Sequence, residues 1–278
     1  MEQSDPRQGF ANDLPDRNIH LDSQITVRLN YGVPQPCTLL LQIRAMTDPH
    51  QIVTWENTEI AAYKSFRDMP AEEGIGNRIW LETNGDLILT YSAQVTVNRQ
   101  VARLETLSET PLYQLNAPTV KYLMASRYCT ADGFTDFLAD NFAELSGGAK
   151  VLAMSKWITD NLIYDNDSSD GNTTAQDTFD ARRGVCRDYA HLLIAFCRSS
   201  AIPARIASVY SPDVTPPDFH AVTEVYLNGG WHLIDPTGMT TPDRMVVVGV
   251  GRDAADVAFL TAFGAATLNE QTVSVIAS

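Results

Sequence analysis

The sequence predicts an α+β protein with an all-β front half and a back half of helices and strands. Three observations carry this. From Gln24 to about Glu105 apolar and polar residues alternate, the period of half-buried strands. Beyond Pro118 the apolar residues recur at three and four, the period of helices. Near the C-terminal end a second alternating stretch surrounds Asn228-Gly229, a hairpin signal. With 278 residues and 44% apolar content, the chain can bury a sizeable core as one large domain or two ordinary ones.

In chain order, "QITVRLNY" and "CTLLLQIRA" read as strands, and "NRIWLETNGDLILTYSAQVTVN" reads as a hairpin turning at Asn84-Gly85. "LSETPLYQLNAP" has two prolines and no period, as a connection between domains would. The expected division is a sandwich-like β-domain over 1–110, with its first 20 or so residues poorly ordered, a linker over 111–118, and a second domain over 119–278. "GFTDFLADNFAEL" and "GAKVLAMSKWITDNLIY" read as helices, and "DNDSSDGNTTAQD" as a polar loop. A short helix over Thr174–Arg182 is expected to end at Gly184 in a left-handed cap.

Next comes "DARRGVCRDYAHLLIAFC", in which Tyr189, Leu192, Leu193, Phe196 and Cys197 form one apolar stripe. Cys186 lies three residues before Tyr189, on the same side and in the first turn, near unpaired N–H groups and the positive end of the helix dipole. That placement favours a thiolate. "ARIASVY" then reads as a strand after Pro203, and "HAVTEVYLNGGWHLIDPTG" as a hairpin. A two-residue turn at Asn228-Gly229 sets Leu227 against Gly230 and Asp235 against Val222. His220 and Asp235 are then diagonal neighbours about 7–8 Å apart at the backbone, within side-chain reach. Looping out Gly230 as well would turn Asp235 to the other face.

A net charge of −14 argues against nucleic acid or an anionic membrane as the main partner. The N-terminus lacks a cationic start and an apolar run, and no stretch is long and apolar enough to span a bilayer, so a soluble, cytoplasmic protein is expected. Cysteines 37, 129, 186 and 197 form no CxxC pair or framework spacing, so reduced thiols are expected. With no HExxH or comparable ligand pair, no metal or other cofactor is expected. Cys37, Cys129 and Cys197 read as core, and His191 and His232 as structural. Arg252 and Asp253 read as a structural ion pair.

"GVCRDYAHLL", "IPAR", "FHAVTEVYLNGGWHLIDPTG", "GRDAADVAF" and the lead-in "YLMASRYC" together resemble the transglutaminase-like superfamily of cysteine enzymes, in its bacterial branch with an N-terminal β-domain. The resemblance implies a papain-like core of helices packed on an antiparallel sheet, with Cys186 as nucleophile, His220 as base and Asp235 as the acid that orients the ring. Arg187-Asp188 stand where the calcium-dependent animal enzymes carry an aromatic residue, and no matching calcium loop is present, so neither calcium dependence nor protein cross-linking is implied.

The chemistry expected is thiol-dependent cleavage of a peptide or amide bond through a thioester. The runner-up within the enzyme class is transfer of the acyl group to an amine. The rival outside it is a catalytically silent peptide-binding module. Backbone N–H groups at the helix start would hold the oxyanion, with Tyr164 or Trp157 as side-chain donor and Asp188 as a residue of the substrate cleft. A peptide or protein is the expected partner.

Overall fold

A computed structural model describes residues 20–278. The expectation for the first 20 or so residues lies outside that range, apart from His20. The front half contains β1 (Leu21–Gly32), β2 (Cys37–Leu41), β3 (Gln51–Ile60), β4 (Ser65–Pro70), β5 (Asn77–Thr83) and β6 (Leu87–Val97). Then follow α1 (Ala117–Val120), α2 (Thr135–Phe142), α3 (Gly147–Asn161), β7 (Ile163–Tyr164), α4 (Ala175–Ala181), β8 (Arg183–Gly184) and α5 (Cys186–Ser199). The chain continues through β9 (Ala204–Tyr210), β10 (His220–Leu227), β11 (Gly230–Ile234), β12 (Val246–Gly251), α6 (Ala254–Val257), β13 (Leu260–Ala262) and β14 (Thr267–Ala277).

Two four-stranded sheets, ordered β14-β1-β6-β3 and β13-β2-β5-β4, form a sandwich. Alternation along β1 and β6 puts Ile25, Val27, Leu29, Leu89 and Tyr91 into its core, against Leu39, Leu41, Ile79 and Leu81 of the other sheet. Each such side chain contributes about 1.5–3 kcal/mol by leaving water.

Two sequence expectations are corrected here. Asn84-Gly85 does not close a hairpin: β5 pairs with β2 and β4 while β6 pairs with β1 and β3, so the turn carries the chain from one sheet to the other. Alternation on both sides of a turn reads the same whether the strands pair edge to edge or face each other across a core. The stretch 119–278 is also not one unit, because β14 pairs along β1 and β13 pairs with β2. A long strand edge leaves a row of N–H and C=O groups that must find partners, and the returning C-terminal segment supplies them.

In the back half α5 packs against a sheet ordered β11-β10-β9-β12. The helix is more than an amphipathic stripe: every residue from Asp188 to Arg198 is buried. Arg198 survives there by donating to the carbonyls of Tyr122, Ala204 and Arg252. Thr174 caps α4 reciprocally with Asp177, and Arg182, not Gly184, takes the left-handed position after it at φ 55°. Tyr210, Val246 and Val248 reach into the sandwich core, so the halves share apolar packing. Gly76, at φ 82°, allows that approach, since a Cβ there would lie 2.1 Å from the Val248 carbonyl oxygen.

Candidate active site

The start of α5 is clamped from its own first turn. Val185 is extended, and its N–H donates to Asp188 Oδ2 at 2.9 Å. The other Asp188 oxygen pairs with Arg187 at 3.0 Å, and the side chain is fully buried. Gly184 lies so close that a Cβ would sit 2.7 Å from that of Asp188. Asp188 is thus a helix cap and not a residue of the substrate cleft, because both its oxygens are committed. Cys186, the first residue of α5, is half-buried, whereas Cys37, Cys129 and Cys197 are buried as expected. Burial pushes the Cys129 thiol up to about 12 and raises that of Cys197 as well.

The hairpin adopts the two-residue register. Leu227 pairs with Gly230 and Thr223 with Ile234, with Asn228 at φ 48° and Gly229 at φ 79°. Continuing that register sets Asp235 beside Val222 and diagonal to His220. His220 Nε2 lies 3.0 Å from Asp235 Oδ2, and each side chain is 1% exposed. Asp235 also accepts from Thr237 N at 2.9 Å, Thr237 Oγ1 at 2.7 Å and Thr240 N at 3.1 Å. Burial alone would raise its pKa, but these donors and the His220 charge bring it below the usual carboxylate value.

The other ring nitrogen, His220 Nδ1, is buried and has no hydrogen-bond partner among the described residues. Cys186 and His220 line the same cavity. Burial disfavours the charged ring, but the Asp235 carboxylate and the Cys186 side chain outweigh it and raise His220 to about 10. With Nε2 engaged by Asp235, Nδ1 is the nitrogen left to exchange a proton with the thiol.

Tyr164 reaches the site because β7 runs parallel to β8, pairing Tyr164 with Gly184 two residues before the cysteine. Burial followed by the Cys186 charge raises the Tyr164 pKa well above the usual phenol value. It therefore stays a donor. Trp157, the other expected donor, is elsewhere: it stacks among Phe137, Phe179 and Phe196, with the Arg182 guanidinium 4.5 Å from its ring. Its position on the inward face of α3 commits it to the aromatic core.

The cavity at Cys186 has a volume of about 400 Å³. Sequence reasoning missed most of its walls, among them Arg127, Arg187, Phe219 and Phe259. Arg187 and Phe219 adjoin Cys186 and His220 in sequence and could have been flagged on that ground. Arg127 and Phe259 arrive from distant segments with no local signal. A second cavity of about 440 Å³, around Arg205 and Trp231, contains none of Cys186, His220 and Asp235. His191 is structural: it stacks on Tyr128 with ring centroids 5.0 Å apart and accepts from Ala254 N at 3.1 Å. Burial lowers it to about 3. His232 approaches the Leu227 carbonyl at 3.3 Å, and burial lowers its pKa. Arg252 pairs with Asp256, and Asp253 caps α6 and accepts from Tyr128 N, so the expected Arg252–Asp253 pair does not form.

A central helix opening on a cysteine, packed on an antiparallel sheet whose hairpin brings His220 to Asp235, defines a papain-like α+β fold. The sequence pattern of the transglutaminase-like superfamily matches residues 136–236. A crystal structure from Cytophaga hutchinsonii, of a protein provisionally described as a cysteine protease, is 30% identical and superimposes with a TM-score of 0.86 over 93% of this chain and 91% of that one. The chain belongs to the transglutaminase-like superfamily. An uncharacterized protein of Mycobacterium leprae is 32% identical over 117 residues, 39% of this chain and 42% of that one. One of Mycobacterium tuberculosis is 30% identical over 142 residues, 45% of each. The chain thus matches less than half the length of either mycobacterial relative. Among the described residues, no helix is long and apolar enough to cross a membrane.

Proposed function

We propose that the chain cleaves peptide or amide bonds with Cys186 as nucleophile, His220 as acid and base, and Asp235 as the group that holds the ring. The supporting observation is the position of His220, hydrogen-bonded to Asp235 at one nitrogen and adjoining the Cys186 cavity. The cysteine-protease description of the Cytophaga hutchinsonii relative agrees with it.

In this reading the Cys186 thiolate attacks the carbonyl carbon. The oxyanion is held by the Cys186 backbone N–H, which has no helical acceptor in the first turn, and by the Tyr164 hydroxyl. As the tetrahedral intermediate collapses, the C–N bond breaks, the His220 imidazolium gives its proton to the leaving amine, and a thioester remains. Water then gives a proton to His220 as it attacks the thioester. Breaking the C–S bond releases the acid and restores the thiolate–imidazolium pair. Superfamily membership favours a second reading, in which an amine replaces water as the acceptor. We also place the protein in the cytoplasm, where its thiols stay reduced; fractionation of the host cell tests this.

A peptide pool incubated with the wild type and with Cys186→Ala, each with a fluorescent primary amine, tests the reading. Cleavage by the wild type alone supports hydrolysis, and fluorescent adducts by the wild type alone support transfer. Products formed equally by both proteins would refute a role for the thiol, and no product from either would leave the binding module as the better account.

A further inference from the structure

The cleft has a charge polarity opposite to that of the chain. The net charge is −14, yet among the described residues the cavity at Cys186 is lined by two arginines and no carboxylate. Arg187 is balanced by Asp188 and held by the Ser169 hydroxyl and the Asp170 carbonyl. Arg127 is exposed, lies over the Tyr128 ring at 5.0 Å, and makes no ion pair among the described residues. It is the uncompensated cation of the site.

From Arg127 the wall runs through Tyr128, whose N–H is tied to Asp253, then along α6 to Phe259. There Phe259 stacks on Phe219, centroids 4.4 Å apart and planes 4° from parallel. Asp218 sits just outside this end, engaged by Gln271 at 2.6 Å and by Phe219 N. The cavity therefore offers an anion the Arg127 guanidinium and an apolar side chain the flat Phe219–Phe259 face, which has a negative charge beside it. The wall between them includes Ala254, Ala255, Val257 and Ala258, which leave room for a main chain.

Resting on the reading of the cleft as a thiol site, we propose that it selects acidic, apolar peptides: a carboxylate on the Arg127 side and an aliphatic or aromatic side chain against Phe219 and Phe259. Basic side chains are disfavoured on the Arg127 side, where the guanidinium repels them and no carboxylate lines the cavity.

The test separates charge reading from turnover. Cys186 is alkylated with iodoacetate and with iodoacetamide at low ionic strength, and the ratio of the two rates is compared in the wild type, Arg127→Gln and Arg127→Glu. The ratio cancels changes in the thiol itself. A cavity of about 400 Å³ is about 7–8 Å across, so one unit charge at an effective dielectric of about 40 changes the ratio about six-fold, and charge reversal about forty-fold. Falls of that order support the proposal, and an unchanged ratio in both variants overturns it. Cleavage of a proteome-derived peptide pool supplies the second arm. Asp and Glu enriched near the cut site support the proposal, and equal or enriched Lys and Arg overturn it. If nothing in the pool is cleaved, the hydrolytic reading fails while the alkylation ratio still decides the charge reading.

Discussion

Replacing Asp235 by Asn removes one charge from a buried pair at nearly constant volume, and the structure indicates what that changes. The carboxylate faces His220 Nε2 at 3.0 Å, and the ring is held up to about 10 against the pull of burial. Charge centres about 4 Å apart interact by about 4 kcal/mol at an effective dielectric of about 20, equivalent to about three pH units. An asparagine carbonyl still accepts from Nε2, but a neutral hydrogen bond is about half as strong as a charge-assisted one. His220 is therefore expected to fall by about two pH units, to about 8. With the amide oxygen kept on His220 Nε2 and Thr240 N, the NH₂ faces Thr237 N, leaving that backbone donor without an acceptor at a loss of about 1–3 kcal/mol of stability. Histidine-selective NMR, with His220→Gln to assign the resonance, measures the first effect, and denaturant unfolding measures the second. A wild-type His220 that titrates below pH 7, or a variant that moves it by less than half a pH unit, would refute the electrostatic account of the site.

Tyr164→Phe removes the proposed hydroxyl donor while keeping the ring packed near Tyr189. Its kcat on any substrate found should fall about 10- to 1000-fold with KM little changed, and an unchanged kcat would remove Tyr164 from the oxyanion site. Trp157→Leu should lower stability by about 2–4 kcal/mol through the aromatic core and leave the alkylation rate of Cys186 unaltered, which denaturant unfolding and peptide mass spectrometry would check. His191, fully buried, is lowered from its ordinary 6.5 to about 3, so the stability it confers as a neutral ring is complete above about 6.5 and is lost as pH falls toward 3. Between pH 7 and 4.5 the wild type should therefore lose roughly 2–3 kcal/mol more than His191→Gln, and equal losses would show that the ring is not held neutral.

The site was legible where its determinants are local. Asn228-Gly229 alone selects the turn, the turn selects the register, and period-two geometry then carries Asp235 to His220 with no information from elsewhere in the chain. The cysteine at the head of α5 follows equally from a helical period that starts there. The fold class followed from the two periods, since a strand or helix must show its buried face in its own sequence.

What the sequence alone did not decide is which distant surfaces meet. Trp157 and Tyr164 are both aromatic and both upstream of Cys186, but only the pairing of β7 with β8 sends one to the thiol while the other stays in the aromatic core. The alternation around Asn84-Gly85 is satisfied equally by an edge pairing and by two facing sheets, and the open edges of β1 and β2, filled by β14 and β13, selected the second. The same return of the chain brings Phe259 against Phe219 and completes the cleft wall. By itself the sequence determined the local periods, the turn and the order of Cys186, His220 and Asp235. The tertiary structure decided the partners of the open strand edges and the walls of the cleft, because both depend on long-range burial and hydrogen-bond satisfaction that no local pattern encodes.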